Sequence, residues 1–184
     1  MWLLLVNVVS TFSGCGGSSL GYKMSGYNVI FATDFEPNAV KTYKMNFPKT
    51  KVMQKNIREL TGQQILKETG LKKGELDILD GSPPCTPFSM TGLREKGWNK
   101  SYLHGSETQA QRTDDLFEEY IRLIRELKPK IFIGENVRGL ICGKAKGYFN
   151  YILRSMKKLG YMVQVLDIDA KDFNVPQIRR RIVF

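Results

Sequence analysis

Apolar, β-branched runs alternate along the chain with segments of helical period, the pattern of a mostly parallel sheet with helices on both faces. The runs predict strands at residues 3–9, 29–34, 52–53, 78–80, 131–134, 161–168 and 182–184. The first and fifth are continuously apolar, as expected of central strands buried on both faces. Pro37 opens a predicted helix over 37–45, at the first helical position that its fixed φ suits. Leu116, Ile121, Ile124 and Leu127 recur at helical spacing within 115–127, a stretch ended by Pro129. A helix over 148–159 is closed by Gly160, and a short one is expected at 18–25. Residues 89–113 break the pattern, with little periodicity and with Gly92, Gly97 and Gly105 as pivots. An insert of that length reads as either a functional lid or disorder. Arg94, Lys96, Lys100 and Arg112 favour a mobile active-site loop closing over phosphates.

Composition narrows the chemistry. With 184 residues, 42% apolar and 25% charged, the chain suits one domain with a real core, and disorder throughout is excluded. Its one histidine, His104, excludes a three-imidazole zinc site and argues against a Ser/His/Asp triad. Cys15, Cys85 and Cys142 are odd in number without C-x-x-C spacing, which disfavours a disulfide scaffold or zinc knuckle and suggests a reducing compartment. No metal is expected. The apolar start, 1–9, is far shorter than the roughly 20 residues a membrane span needs and has no signal-peptide flanks, so no membrane role is expected. The 28 Lys and Arg against 18 Asp and Glu leave a net charge of +10, which suits a polyanion such as nucleic acid but also an ordinary basic domain.

Four motifs carry candidate chemistry. Phe12-Ser13-Gly14-Cys15-Gly16-Gly17 follows the first strand, where glycines permit positive φ and close approach of a ligand to the backbone. Asp34 ends the second strand, where doubly wound folds place an acid that bonds ribose hydroxyls. The turn is not a clean G-x-G-x-x-G, so a dinucleotide is not favoured over another adenosine-bearing cofactor. Asp80-Gly81-Ser82-Pro83-Pro84-Cys85-Thr86-Pro87 follows the fourth strand, and its prolines fix the backbone around a single thiol. Cys85 is thus either a rigidly presented nucleophile or a buried turn residue. Gly134-Glu135-Asn136-Val137 sets a carboxylate at the end of an apolar strand, suited to proton transfer or to an ion pair. Gln177, Arg179 and Arg181 share one side of an extended segment by period-two alternation, and forked guanidiniums there suit phosphate or a base edge.

Together and in this order, these motifs resemble the DNA (cytosine-5)-methyltransferase family over nearly the whole chain. The resemblance implies a Rossmann-like fold that binds S-adenosylmethionine and acts on double-stranded DNA, as in bacterial or phage restriction-modification methylases working in the cytoplasm. By the same resemblance Cys85 attacks cytosine carbon 6 and Glu135 bonds the pyrimidine at nitrogen 3 and the amine. Arg181 contacts the base carbonyl, and Arg179 supports the loop or a phosphate. The target base is flipped out of the duplex. The cofactor pocket carries over as Phe12, Gly14, Gly16, Asp34, Asn56, Ile57, Ser82, Pro84 and Leu116. Cys15 and Cys142 are expected to be packing residues.

Three positions depart from the family's pattern. Ser10 stands where an acid is usual before the glycine turn, Asn56 where an acid usually receives the adenine amine, and Thr86 where Gln is common. Family members also continue into a small target-recognition domain and a terminal segment that this sequence lacks. The expectation is therefore a catalytic domain over 1–184, completed by a polypeptide that carries target recognition. An inactive fragment that only binds cofactor or DNA, or a cytosine-5 methyltransferase acting on tRNA, are the alternatives.

Overall fold

The computed structural model describes residues 5–84, 115–142 and 145–184, together with the backbone of 101–102 and 111–112. The chain divides into two compact units, Met1–Ser82 with Arg122–Ile133, and Pro83–Ile121 with Gly134–Phe184.

The first unit is a parallel sheet. Strands β1 (Asn7–Thr11), β2 (Asn28–Asp34), β3 (Lys51–Gln54) and β4 (Ile78–Gly81) alternate with helices α1 (Gly17–Met24), α2 (Pro37–Asn46) and α3 (Gly62–Thr69). β1 lies between β2 and β4, and β3 pairs with the far side of β2, all in parallel. Val8 and Ser10 face α1, whose Tyr22 packs against the Val8, Val29 and Ile78 cluster. The alternate positions Val9 and Thr11 are 0% and 1% exposed on the opposite face, so β1 is covered on both sides. Register sets the chemistry at one edge: Thr11 is level with Thr33 on β2 and Gly81 on β4. The residues that follow, Phe12, Asp34 and Ser82, therefore emerge together at the carboxyl ends of the strands, the edge where such sheets bind ligands.

The second unit is antiparallel. The Gly134–Val137 part of β7 (Ile131–Val137) pairs with β9 (Arg180–Val183), and β9 pairs in turn with β8 (Leu166–Asp169). Gly134 and Phe184 exchange both backbone hydrogen bonds, at 3.0 and 2.8 Å. Phe117 and Tyr120 of α4 (Leu116–Leu127), Phe149 of α5 (Lys146–Lys158) and Phe184 form its aromatic core, with ring centroids 5.4 to 5.9 Å apart. Gly134 admits those rings, since a Cβ there would lie 3.3 Å from Tyr120 and 3.4 Å from Phe117.

Several expectations change. The first strand is Asn7–Thr11, beyond the most apolar residues, because Ser10 and Thr11 find buried hydrogen-bond partners on β4 while Leu5 is 62% exposed. Burial along β7 alternates rather than running continuously, and Ile131 is 54% exposed. Of the strand expected at 161–168, only Leu166–Asp169 forms, and Met162 is fully exposed. Helix α3 was not among the expected elements. Its start is fixed by a capping box of Thr61 and Gln64 and its end by Gly70 at φ 72°. Within the expected loop at 89–113, β5 (Ser101–Tyr102) and β6 (Gln111–Arg112) pair antiparallel, and its remaining residues lie outside those described. Cys15 and Cys142 are free and exposed, so neither is a packing residue.

Candidate active site

The glycine turn is wired to the end of β2. Phe12, Gly14 and Gly16 hold φ of 52°, 53° and 99°, left-handed values that glycine adopts without steric cost. Ser13 donates its N–H and its hydroxyl to the Thr33 carbonyl, at 3.1 and 3.2 Å. Asp34 Oδ2 accepts the Gly14 N–H at 2.8 Å, and Oδ1 accepts the Glu36 N–H at 3.0 Å. The acid expected to bond ribose thus also fixes the turn beside it, with carboxylate lone pairs to spare. A Cβ on Gly16 would fall 2.3 Å from the Phe47 ring, whereas one on Gly14 or Gly17 would meet nothing within 4 Å among the described residues. Open space over those glycines, beside a helix start that no side chain caps, fits a ligand lying along the backbone. Phe35, which follows Asp34, is half-buried.

The Asn56–Ile57 segment is held from α4. Arg122 Nη2 donates to the carbonyls of Ile57 and Leu60, both at 2.9 Å, while Arg122 Nη1 pairs with Glu126 Oε1 at 2.9 Å. Ile57 is buried. Asn56 Oδ1 accepts the Arg58 N–H at 3.1 Å. Ser82 is exposed at the end of β4. Two residues earlier, the buried Asp80 accepts from Ser10 Oγ and Ser18 Oγ at 2.9 Å each and from Tyr22 OH at 3.2 Å. An acid missing at Ser10 is therefore present at its register partner across the ladder.

In the second unit Glu135 and Arg181 come together. Glu135 Oε1 lies 2.7 Å from Arg181 Nε, the diagonal of a ladder in which Arg181 is level with Val137. Neighbouring Asn136, 2% exposed, donates Nδ2 to the Pro83 carbonyl at 3.2 Å and accepts the Val137 N–H on Oδ1 at 2.7 Å. Asn136 thus anchors the lead into the Pro-Pro-Cys loop, a role its sequence position alone does not reveal. Pro84 is half-buried and Leu116 is buried at the start of α4. Arg179 is exposed, with its N–H on Asp169 Oδ1 at 2.8 Å and its carbonyl accepting from Ala170 at 3.1 Å. Gln177 sits in a bend, its N–H on the Val175 carbonyl, so the expected alternation does not reach back to it. Cys85 lies outside the described residues.

Comparison with known proteins decides the lineage of this arrangement. The sequence model of the C-5 cytosine-specific DNA methylases matches residues 6–184. The chain belongs to that family. Type II methyltransferase M.XorII of Xanthomonas oryzae pv. oryzae is 35% identical over 178 residues, which are 95% of this chain and 39% of that protein. Type II methyltransferase M.AquIA of Picosynechococcus is 32% identical over 95% of this chain and 69% of its own length. Among solved structures, a candidate DNA modification methyltransferase from an Escherichia coli prophage superposes with a TM-score of 0.76 at 28% identity, covering 97% of this chain and 45% of that one. This C-5 cytosine methylase chain thus spans less than half the length of M.XorII. The S-adenosylmethionine-dependent methyltransferase fold expected from the motifs is the one it has.

Proposed function

We propose that this chain is the catalytic part of a DNA cytosine-5 methyltransferase of the restriction-modification kind, working in the cytoplasm of a bacterium or from a phage gene. The observation that carries the reading is the Glu135–Arg181 pair standing beside Asn136, which holds the Pro83 carbonyl two residues before Cys85.

S-adenosylmethionine, when bound, supplies an electrophilic methyl group. Phe12, Gly14, Gly16, Asp34, Asn56, Ile57, Ser82, Pro84 and Leu116 are the residues that would hold it, and the open space over Gly14 and Gly17 supports that fit. Carbon 5 of cytosine is a poor nucleophile, and Cys85 overcomes this by adding its thiolate to carbon 6, which makes carbon 5 enamine-like. Glu135 binds the ring nitrogen 3 and amine edge and offsets the charge that develops there. Arg181 orients Glu135 and reaches the base carbonyl, while Arg179 meets a phosphate. Loss of the carbon 5 proton then expels Cys85 and restores aromaticity. The base is flipped out of the duplex for this chemistry.

Target recognition comes from a completing polypeptide. Met162, Leu166, Phe173, Val175 and Ile178 of the second unit are 44% to 100% exposed, apolar side chains that such a partner would cover. The net charge of +10 supports a DNA partner.

The test is transfer of labelled methyl from S-adenosylmethionine to duplex DNA by the chain with and without its completing half, with tRNA as the competing substrate. Methylation of DNA that Cys85→Ser abolishes supports the proposal. Unchanged transfer by that variant, or transfer to tRNA alone, defeats it.

A further inference from the structure

Two hydroxyls that bracket the glycine turn bind one carboxylate. Ser10 lies two residues before Phe12, at the end of β1, and Ser18 lies in the first turn of α1 just after Gly17. Both donate to Asp80 Oδ2, and Tyr22, one helical turn beyond Ser18, donates to Oδ1. Thr11 adds a fourth tie to the same residue through its hydroxyl on the Asp80 carbonyl at 2.9 Å. Asp80 is only 9% exposed, and a buried carboxylate is tolerated when several donors converge on it. Burial raises the Tyr22 phenol above its ordinary value, and the neighbouring Asp80 raises it further, so Tyr22 remains a donor.

We propose that Asp80 is a positioning residue for the cofactor cradle, pinning both ends of the glycine turn to β4, the strand that leads into the Pro-Pro-Cys loop. The inference rests on reading the glycine turn as the S-adenosylmethionine cradle. It goes beyond that reading by assigning the turn's geometry to a residue outside the set proposed to hold the cofactor or the base. Because Ser10 and Asp80 are level with each other on adjacent strands, the carboxylate can be supplied from either one. What matters is one negative group under the turn, whichever strand carries it.

The test moves the carboxylate across the ladder. Asp80→Ser, Asp80→Asn and the double variant Ser10→Asp with Asp80→Ser are compared with the parent chain by calorimetric titration of S-adenosylmethionine. Hydrogen exchange of the amides of 12–18 is measured without cofactor. Asp80→Ser is expected to weaken binding about tenfold and to speed exchange of the turn by a similar factor, as loss of charge-assisted hydrogen bonds implies. Asp80→Asn keeps an acceptor without the charge and should fall between. The double variant should return to within about threefold of the parent on both readouts. Parent-like binding and exchange in Asp80→Ser, or a double variant no better than Asp80→Ser, overturns the proposal. Should Asp80→Ser fail to fold, Asp80→Asn and the double variant carry the comparison. If the parent itself takes up no cofactor, the cradle reading fails, and the exchange measurement alone decides whether Asp80 positions the turn.

Discussion

Glu135 and Arg181 meet across the β7 and β9 ladder with Oε1 2.7 Å from Nε, although 46 positions separate them in the sequence. The diagonal arises because Arg181 is level with Val137, two residues beyond Glu135 and on the same face of the sheet. Their side chains are 36% and 21% exposed, so the pair contributes less than about 1 kcal/mol to stability. On the proposed mechanism its value is in orienting Glu135. Glu135→Gln should therefore slow methyl transfer by the completed enzyme about 100-fold or more while barely moving the denaturation midpoint. Steady-state kinetics alongside urea unfolding check this, and a large stability loss would make the pair structural instead.

Asn136 should behave in the opposite way. Its side chain is buried and serves two backbone groups, so Asn136→Leu removes the donor to the Pro83 carbonyl and the acceptor of the Val137 N–H. Leaving buried polar groups without partners costs about 1 to 3 kcal/mol each. Chemical denaturation should show a loss of that order, together with faster proteolysis near the Pro-Pro-Cys loop.

Glycine substitutions separate constraint from permission in the turn. Gly16→Ala forces a Cβ at φ 99° into the Phe47 ring and should destabilise by about 2 kcal/mol or more. Gly17→Ala, which opens α1 with nothing within 4 Å of its Cβ, should leave stability unchanged or slightly raised. Thermal unfolding of both variants decides it, and equal losses would contradict the geometry.

Acid should expose the tie between Asp77 and Lys130. The Lys130 ammonium, 2.7 Å from Oδ1, holds the Asp77 carboxyl below the usual carboxylate range, with partial burial opposing it and the Asn7 N–H assisting. A carboxyl whose folded pKa is depressed adds stability that is fully present above its unfolded value of about 3.9 and is lost as pH falls through the lower folded value. Wild-type stability should thus fall more steeply than that of Asp77→Asn below about pH 4. Parallel pH titrations of the unfolding midpoint would show the two curves converging in acid.

The sequence by itself determined the alternation of strands and helices, the glycine turn, the acid that ends β2 and the family. Those signals are local: periodicity, a proline at a helix start, glycines where φ turns positive, and motifs read in order. Helix α3 was missed although its start is marked locally, by the Thr61 and Gln64 capping box. The strand expected at 161–168 shrank to Leu166–Asp169 because pairing with β9, and not apolar content, decides where a ladder exists. Only the tertiary structure joined Glu135 to Arg181, Asn136 to Pro83, and Ser10, Ser18 and Tyr22 to Asp80. Each of those contacts depends on register between strands, or between a helix and a strand, distant in sequence. One residue of slip would turn every side chain to the other face, so such partners are settled by packing and not by any local run of residues.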